Sequence, residues 1–203
     1  MSSQTEGKMN LVLKQRVFDV PTSYRVLESA LISFGDLFAA QRSGMMSKAF
    51  QERIMLAVTY VNGCRYCSYF HTSLALKEGM SRDEIQHLLS GEFSDAPAAE
   101  VVALAFAQHY AETTGYYDTD AYQRVVDEYG AQLARYIRAS IRMIMFGNVY
   151  GLMFDALQSR LRGKPFPGST LWQELGGVFG IIVFIPAILI TRMLGYVTSP
   201  YRA

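Results

Sequence analysis

The dipeptide Asn62-Gly63 sits between two stretches that both read as helix, and it forces the chain to turn there. Before it, Phe50, Ile54, Leu56, Ala57, Val58 and Val61 recur at helical spacing. Both Asn and Gly tolerate the left-handed conformation that closes a helix C-terminus. Immediately after it stands Cys64-Arg-Tyr-Cys67, then His71, and a second helix is predicted from about Cys64 to Lys77. The result is a helical hairpin with both cysteines of the chain at the start of its second arm.

That position has chemical meaning. The first-turn N–H groups of a helix are unpaired and the dipole is positive there, so a thiol is favoured as the reactive thiolate. Cys64, Cys67 and His71 share one stripe at i, i+3 and i+7. Glu52 precedes the turn by roughly 16 Å of helix and His71 follows it by roughly 12 Å, at about 1.5 Å rise per residue. The carboxylate is therefore expected to meet the imidazole across the hairpin and orient it. Two thiols, an imidazole and a carboxylate suffice for acid–base-assisted thiol chemistry. The same Cys64, Cys67 and His71 also supply three zinc-type donors, with Glu52 or His109 as a fourth. A second separated ligand pair, usual in structural zinc sites, is missing, and the redox dithiol is the favoured reading.

The Glu52…Cys64-x-x-Cys67…His71 spacing, with Asn62-Gly63 before it and LALKEGMSRDEIQHLL and AEVVALAFAQHYAETTG after it, resembles the alkylhydroperoxidase D-like branch of the carboxymuconolactone decarboxylase superfamily. The resemblance spans roughly residues 25–115. It implies an all-α, oligomeric protein, a trimer or hexamer. It further implies a thiol-dependent peroxidase whose substrate is a hydroperoxide and whose electrons come from an external dithiol or thiol. Glu52, Cys64, Cys67 and His71 would be its catalytic proton-relay group, with no metal and no cofactor. One position departs from the branch. Its members often carry a His just before the second cysteine, where this chain has Tyr66; a phenol does not titrate near neutrality. Tyr66 is instead a candidate hydrogen-bond donor to a bound peroxide.

Elsewhere the pattern remains helical. Residues 1–20 are expected as an extended or partly loose arm. A helix from about 22 to 40, interrupted at Gly35, would bury Tyr24, Val26, Leu27, Ala30, Leu31, Phe34, Leu37 and Phe38. Ser81 with Glu84 caps a short helix over about 82–89. Ser94 or Asp95 is expected to cap another that runs to about Thr113, with Pro97 in its first turn. Asp120 or Thr119 is expected to cap the next, which runs to Tyr129; Gly130 breaks it, and 131–161 continue as a long apolar helix. There Gly147 and Gly151 permit a close approach, and Arg138 and Arg142 read as solvated or paired with carboxylates. His87 and His109 read as structural or exposed. Residues 21–162 thus form the main helical domain, and the Pro/Gly loop 163–168 separates it from a helix over 169–196.

That last helix is the outlier. Leu175–Thr191 holds seventeen residues without a charge, near the lower limit for a membrane span. Packing on another subunit is the first reading, with membrane contact and burial in its own protomer as the alternatives. Net charge is +1 with no Lys/Arg block, which offers nucleic acid no electrostatic footprint. Two cysteines in one C-x-x-C suit a reduced cytoplasmic setting, with membrane association through the last helix as the alternative. A non-enzymatic helical assembly subunit with a redox-sensing dithiol is the competing function.

Overall fold

The computed structural model describes residues 14–194. The first thirteen residues of the expected arm, and residues 195 and 196 of the expected last helix, lie outside them. Seven α-helices occur among the described residues, and no strand. They are α1 (Val20–Ser43), α2 (Lys48–Asn62), α3 (Arg65–Lys77), α4 (Arg82–Leu88), α5 (Val101–Glu112), α6 (Thr119–Leu161) and α7 (Leu171–Met193).

Local chemistry sets most boundaries. Ser47 caps α2 by accepting from the Phe50 N–H, and Gly63 closes it at φ 73°. Ser81, Asp118 and Thr170 cap α4, α6 and α7 in the same way, so the cap of α6 is Asp118 rather than the expected Thr119 or Asp120. Gly130 kinks α6 at φ 74°, a conformation that costs a glycine little.

The long helix α6 is the axis. It packs on α1, α2, α5 and α7, and touches α3. Ile54, Leu56, Leu104, Ile137, Ile141 and Met145 are fully buried around it. Burial of aliphatic side chains like these contributes about 1.5–3 kcal/mol each before the opposing chain entropy. α2 lies against α3, α5 and α6, so the Cys-bearing hairpin is held from behind by the core.

Three further expectations are corrected. Gly35 does not interrupt α1, which starts at an Asp19 cap and runs unbroken to Ser43. On that helix Leu31, Phe34 and Phe38 are exposed, because the apolar stripe is wider than the surface the neighbouring helices cover. Ser94 and Asp95 do not cap α5. Both side chains reach back to His87, Asp95 Oδ2 lying 2.8 Å from its Nδ1, and the α-helix begins only at Val101 after a short 3-10 turn.

α7 packs on its own protomer by one face only. Gly176 admits Val20, Phe184 meets Tyr24 edge-on at 5.3 Å, and Ile188 is fully buried. The buried Glu174 carboxylate accepts two bonds from Arg160, at 2.7 and 2.9 Å. The other face carries exposed Trp172, Phe179, Ile182, Val183, Leu189, Ile190 and Met193. By length and composition α7 could cross a membrane, and 17% of its apolar window is buried inside the protein.

Candidate active site

The hairpin places the four expected residues on two adjacent helices. Cys64 is the N-cap of α3, and its Sγ lies 3.3 Å from the Cys67 N–H. Cys64 and Cys67 are joined as a disulfide, with Cα atoms 5.4 Å apart. Cys64 is 1% exposed and Cys67 is half-buried, so the second sulfur faces outward more than the first.

Glu52 and His71 meet across the hairpin, Oε2 to Nδ1 at 2.7 Å. Both side chains are largely shielded, at 12% and 13% exposure. A carboxylate held on Nδ1 selects the tautomer and leaves Nε2 as the nitrogen for proton exchange. Glu52 also borders a cleft of about 420 Å³ between the ends of α1, α2 and α3, lined among others by Met46, Lys48, Gln51 and Leu74. The pair therefore reaches this cleft through Glu52.

Three residues of α6, at i, i+4 and i+7, face the Cys64–Cys67 turn. A Cβ at Gly151 would stand 3.0 Å from the Cys64 sulfur and 3.6 Å from that of Cys67, so glycine is what lets the helix backbone approach the disulfide. Asp155 is 1% exposed; it accepts from the Arg65 guanidinium and, at 3.0 Å, from Gln15 Nε2. The bond to Asp155 pushes the Arg65 pKa up. Gln158 Oε1 accepts the Tyr66 hydroxyl at 3.0 Å. Both residues between the cysteines are thus tied to α6.

The end of the N-terminal arm closes the turn from the other side. Arg16 donates through its backbone to the Asn62 carbonyl at 3.1 Å, and through its side chain to Asn62 Oδ1 and the Ala111 carbonyl. A Cβ at Gly63 would collide with the Lys14 carbonyl, so the packing as well as the positive φ requires glycine there. Within this arm, expected as extended or partly loose, Gln15 and Arg16 are pinned.

Gly151 carried a signal in the sequence, as half of a Gly-x-x-x-Gly spacing. Its partner Gly147 meets only Ile144 of its own helix. Asp155, Gln158, Gln15 and Arg16 carried none. Arg142 is not solvated as expected: it is buried, and donates to Ser33 Oγ at 3.1 Å and to the Tyr110 hydroxyl. Arg138 stacks over the Tyr122 ring at 4.4 Å and donates to Tyr117. His109 has Asp118 at 4.0 Å as its carboxylate neighbour. Among the described residues, no group of three or more His, Cys, Asp or Glu stands in metal-holding proximity.

The fold and site define an all-helical protein with a cysteine pair at a helix N-terminus, beside a carboxylate–imidazole pair. Residues 31–109, which include the whole hairpin, match the model of the carboxymuconolactone decarboxylase family. An uncharacterized protein of Cupriavidus necator is 29% identical over 106 residues, which make up 49% of this chain and 94% of that protein. No solved structure matches the chain.

Proposed function

We propose that this protein is a thiol-dependent oxidoreductase that reduces hydroperoxides through Cys64 and Cys67. The observation that carries the proposal is the 2.7 Å Glu52–His71 pair on the same helical hairpin as the disulfide. A structural disulfide has no use for a shielded proton-transfer pair beside it.

Cys67 is the attacking thiolate, because it is the more exposed sulfur and lies one turn from His71. Its sulfur takes the terminal peroxide oxygen as the O–O bond breaks, and His71 delivers the proton with which the alcohol leaves. The Cys64 thiolate then displaces water from the Cys67 sulfenic acid and forms the disulfide. An external dithiol returns two electrons and two protons, and is itself oxidised to a disulfide. Glu52 orients the imidazole and relays protons to the solvent-filled cleft. Tyr66 exchanges its Gln158 bond for one to the bound peroxide. Trapping of sulfenic acid tests the order: Cys64→Ser should accumulate it on Cys67, and Cys67→Ser should abolish it. Trapping that survives on Cys64 in the second variant reverses the assignment.

A second copy of the chain is proposed to cover α7, which supports an assembly role alongside the chemistry. Trp172, Phe179, Ile182, Pro186, Leu189 and Met193 repeat at seven-, three- and four-residue steps along its exposed face, the spacing of a helix–helix seam. Side chains of this size present on the order of 800 Å² at their observed exposures, about one partner's share of a standard interface. A membrane span is disfavoured in this pose, because α7 lies along α1 and α6, which carry Arg25, Asp36 and Arg138. It also lacks the charged face of a helix that lies on a bilayer surface.

A further inference from the structure

We infer that Arg65 and Asp155 form a charge pair that sets the redox potential of the Cys64–Cys67 couple. The inference rests on the dithiol reading above and names a regulator of that same site.

Arg65 stands between the two cysteines in the first turn of α3, and its guanidinium is bonded to Asp155. Asp155 is the buried member, while half of the Arg65 side chain is exposed. Asp155 lies one turn of α6, about 6 Å, beyond Gly151, the position where a Cβ would stand 3.0 Å from the Cys64 sulfur and 3.6 Å from that of Cys67. A full positive and a full negative charge are therefore carried by residues that flank the cysteines, whose sulfurs bear negative charge only in the reduced, deprotonated state. Together they nearly cancel. Separately, each would act on the thiolate with opposite sign.

The Gln15 bond shows that the carboxylate is held rather than incidental. Its two oxygens are claimed from two directions, one by Arg65 of α3 and one by Gln15 of the N-terminal arm. The arm is in turn fixed to the Asn62 turn through Arg16. Asp155 thus cannot swing away when the disulfide opens. Elsewhere on the hairpin Glu52 and His71 engage each other, and Arg53 is taken by Glu84 and Glu100.

Asp155→Asn keeps the shape and leaves Arg65 uncompensated. The thiolate form is then stabilised, and the couple becomes more oxidising. Arg65→Met leaves the Asp155 carboxylate alone behind the sulfurs and makes the couple more reducing. Arg65 and Asp155 are positioning residues here; neither touches the reacting oxygen.

The test is the equilibrium of the full-length protein with reduced and oxidised glutathione, read as the fraction of alkylatable thiols. D155N should shift the equilibrium constant about three- to tenfold toward the dithiol, and R65M by a similar factor toward the disulfide. Tenfold corresponds to about 30 mV for a two-electron couple. The double variant should return close to wild type. Shifts of the same sign, or no shift, overturn the inference, because loss of a merely structural clamp would move both variants alike. If D155N does not fold, R65M at its half-exposed site still gives the sign. A wild-type pair that never exchanges with glutathione removes the dithiol reading itself, and this inference with it. That outcome is distinct from a reversible couple that is indifferent to both substitutions.

Discussion

His71 Nδ1 and Glu52 Oε2 lie 2.7 Å apart across a turn closed by Gly63, although they are nineteen positions apart in the chain. Glu52→Gln keeps an acceptor for His71 but removes the charge. Positioned proton transfer contributes about 10²–10⁴-fold to a rate. Peroxide-driven loss of thiols should therefore slow by roughly 10-fold in E52Q and by roughly 10²-fold or more in His71→Asn. Stopped-flow thiol counting checks this. Unchanged rates in both would leave the pair a structural contact.

Gly151→Ala separates the redox states. In the oxidised protein a Cβ there meets the Cys64 sulfur at 3.0 Å. The bonded sulfurs cannot yield, and overpacking of this kind costs about 1–3 kcal/mol. In the reduced protein each thiol can rotate, and alanine adds helix propensity worth about 1 kcal/mol. Thermal melting should show G151A destabilised when oxidised, and neutral or stabilised when reduced. Equal shifts in both states would place the strain elsewhere.

The seat of α7 should be acid-sensitive. The Arg160 bonds hold the Glu174 carboxyl below its ordinary value. Such a depressed carboxylate contributes stability that is fully present above its unfolded value, and the contribution is lost as pH falls through the folded value. Trp172, the single tryptophan, is two residues away and reports the local transition by fluorescence. Below about pH 4.5 the wild-type seat should loosen, whereas Glu174→Gln should be loosened at neutral pH and lose that step. A variant with the wild-type acid step would contradict the pairing.

The exposed face of α7 should hold two copies together. Sedimentation of the wild-type chain should give an oligomer, and Ile182→Glu with Leu189→Glu should reduce its mass without unfolding α1–α6. Flotation of the wild-type chain with neutral lipid vesicles, with no self-association in solution, would assign that face to a membrane instead.

The hairpin and the Glu52–His71 meeting were legible because every signal for them is local. A Gly at a helix end, a cap, and equal arm lengths about a turn are read within twenty residues. The α6 stripe was not. Asp155 and Arg65 are ninety positions apart, and nothing in the spacing of a long apolar helix says which of its faces will meet a distant turn. The exposure of Phe34 and Phe38 was missed for a related reason. An apolar stripe gives a preference for burial, but the number of helices available to cover it is a property of the assembled bundle. Ser94 and Asp95 had the chemistry of caps, and His87 took them instead.

The central claim is that Cys64 and Cys67 cycle between dithiol and disulfide at the expense of a peroxide. The direct measurement is an intact-mass count of alkylatable thiols on reduced full-length protein, before and after one equivalent of hydroperoxide. Two thiols should vanish together, without added oxygen mass, within a single turnover. Thiols that remain free under peroxide, or that vanish only as over-oxidised single cysteines, would contradict the account.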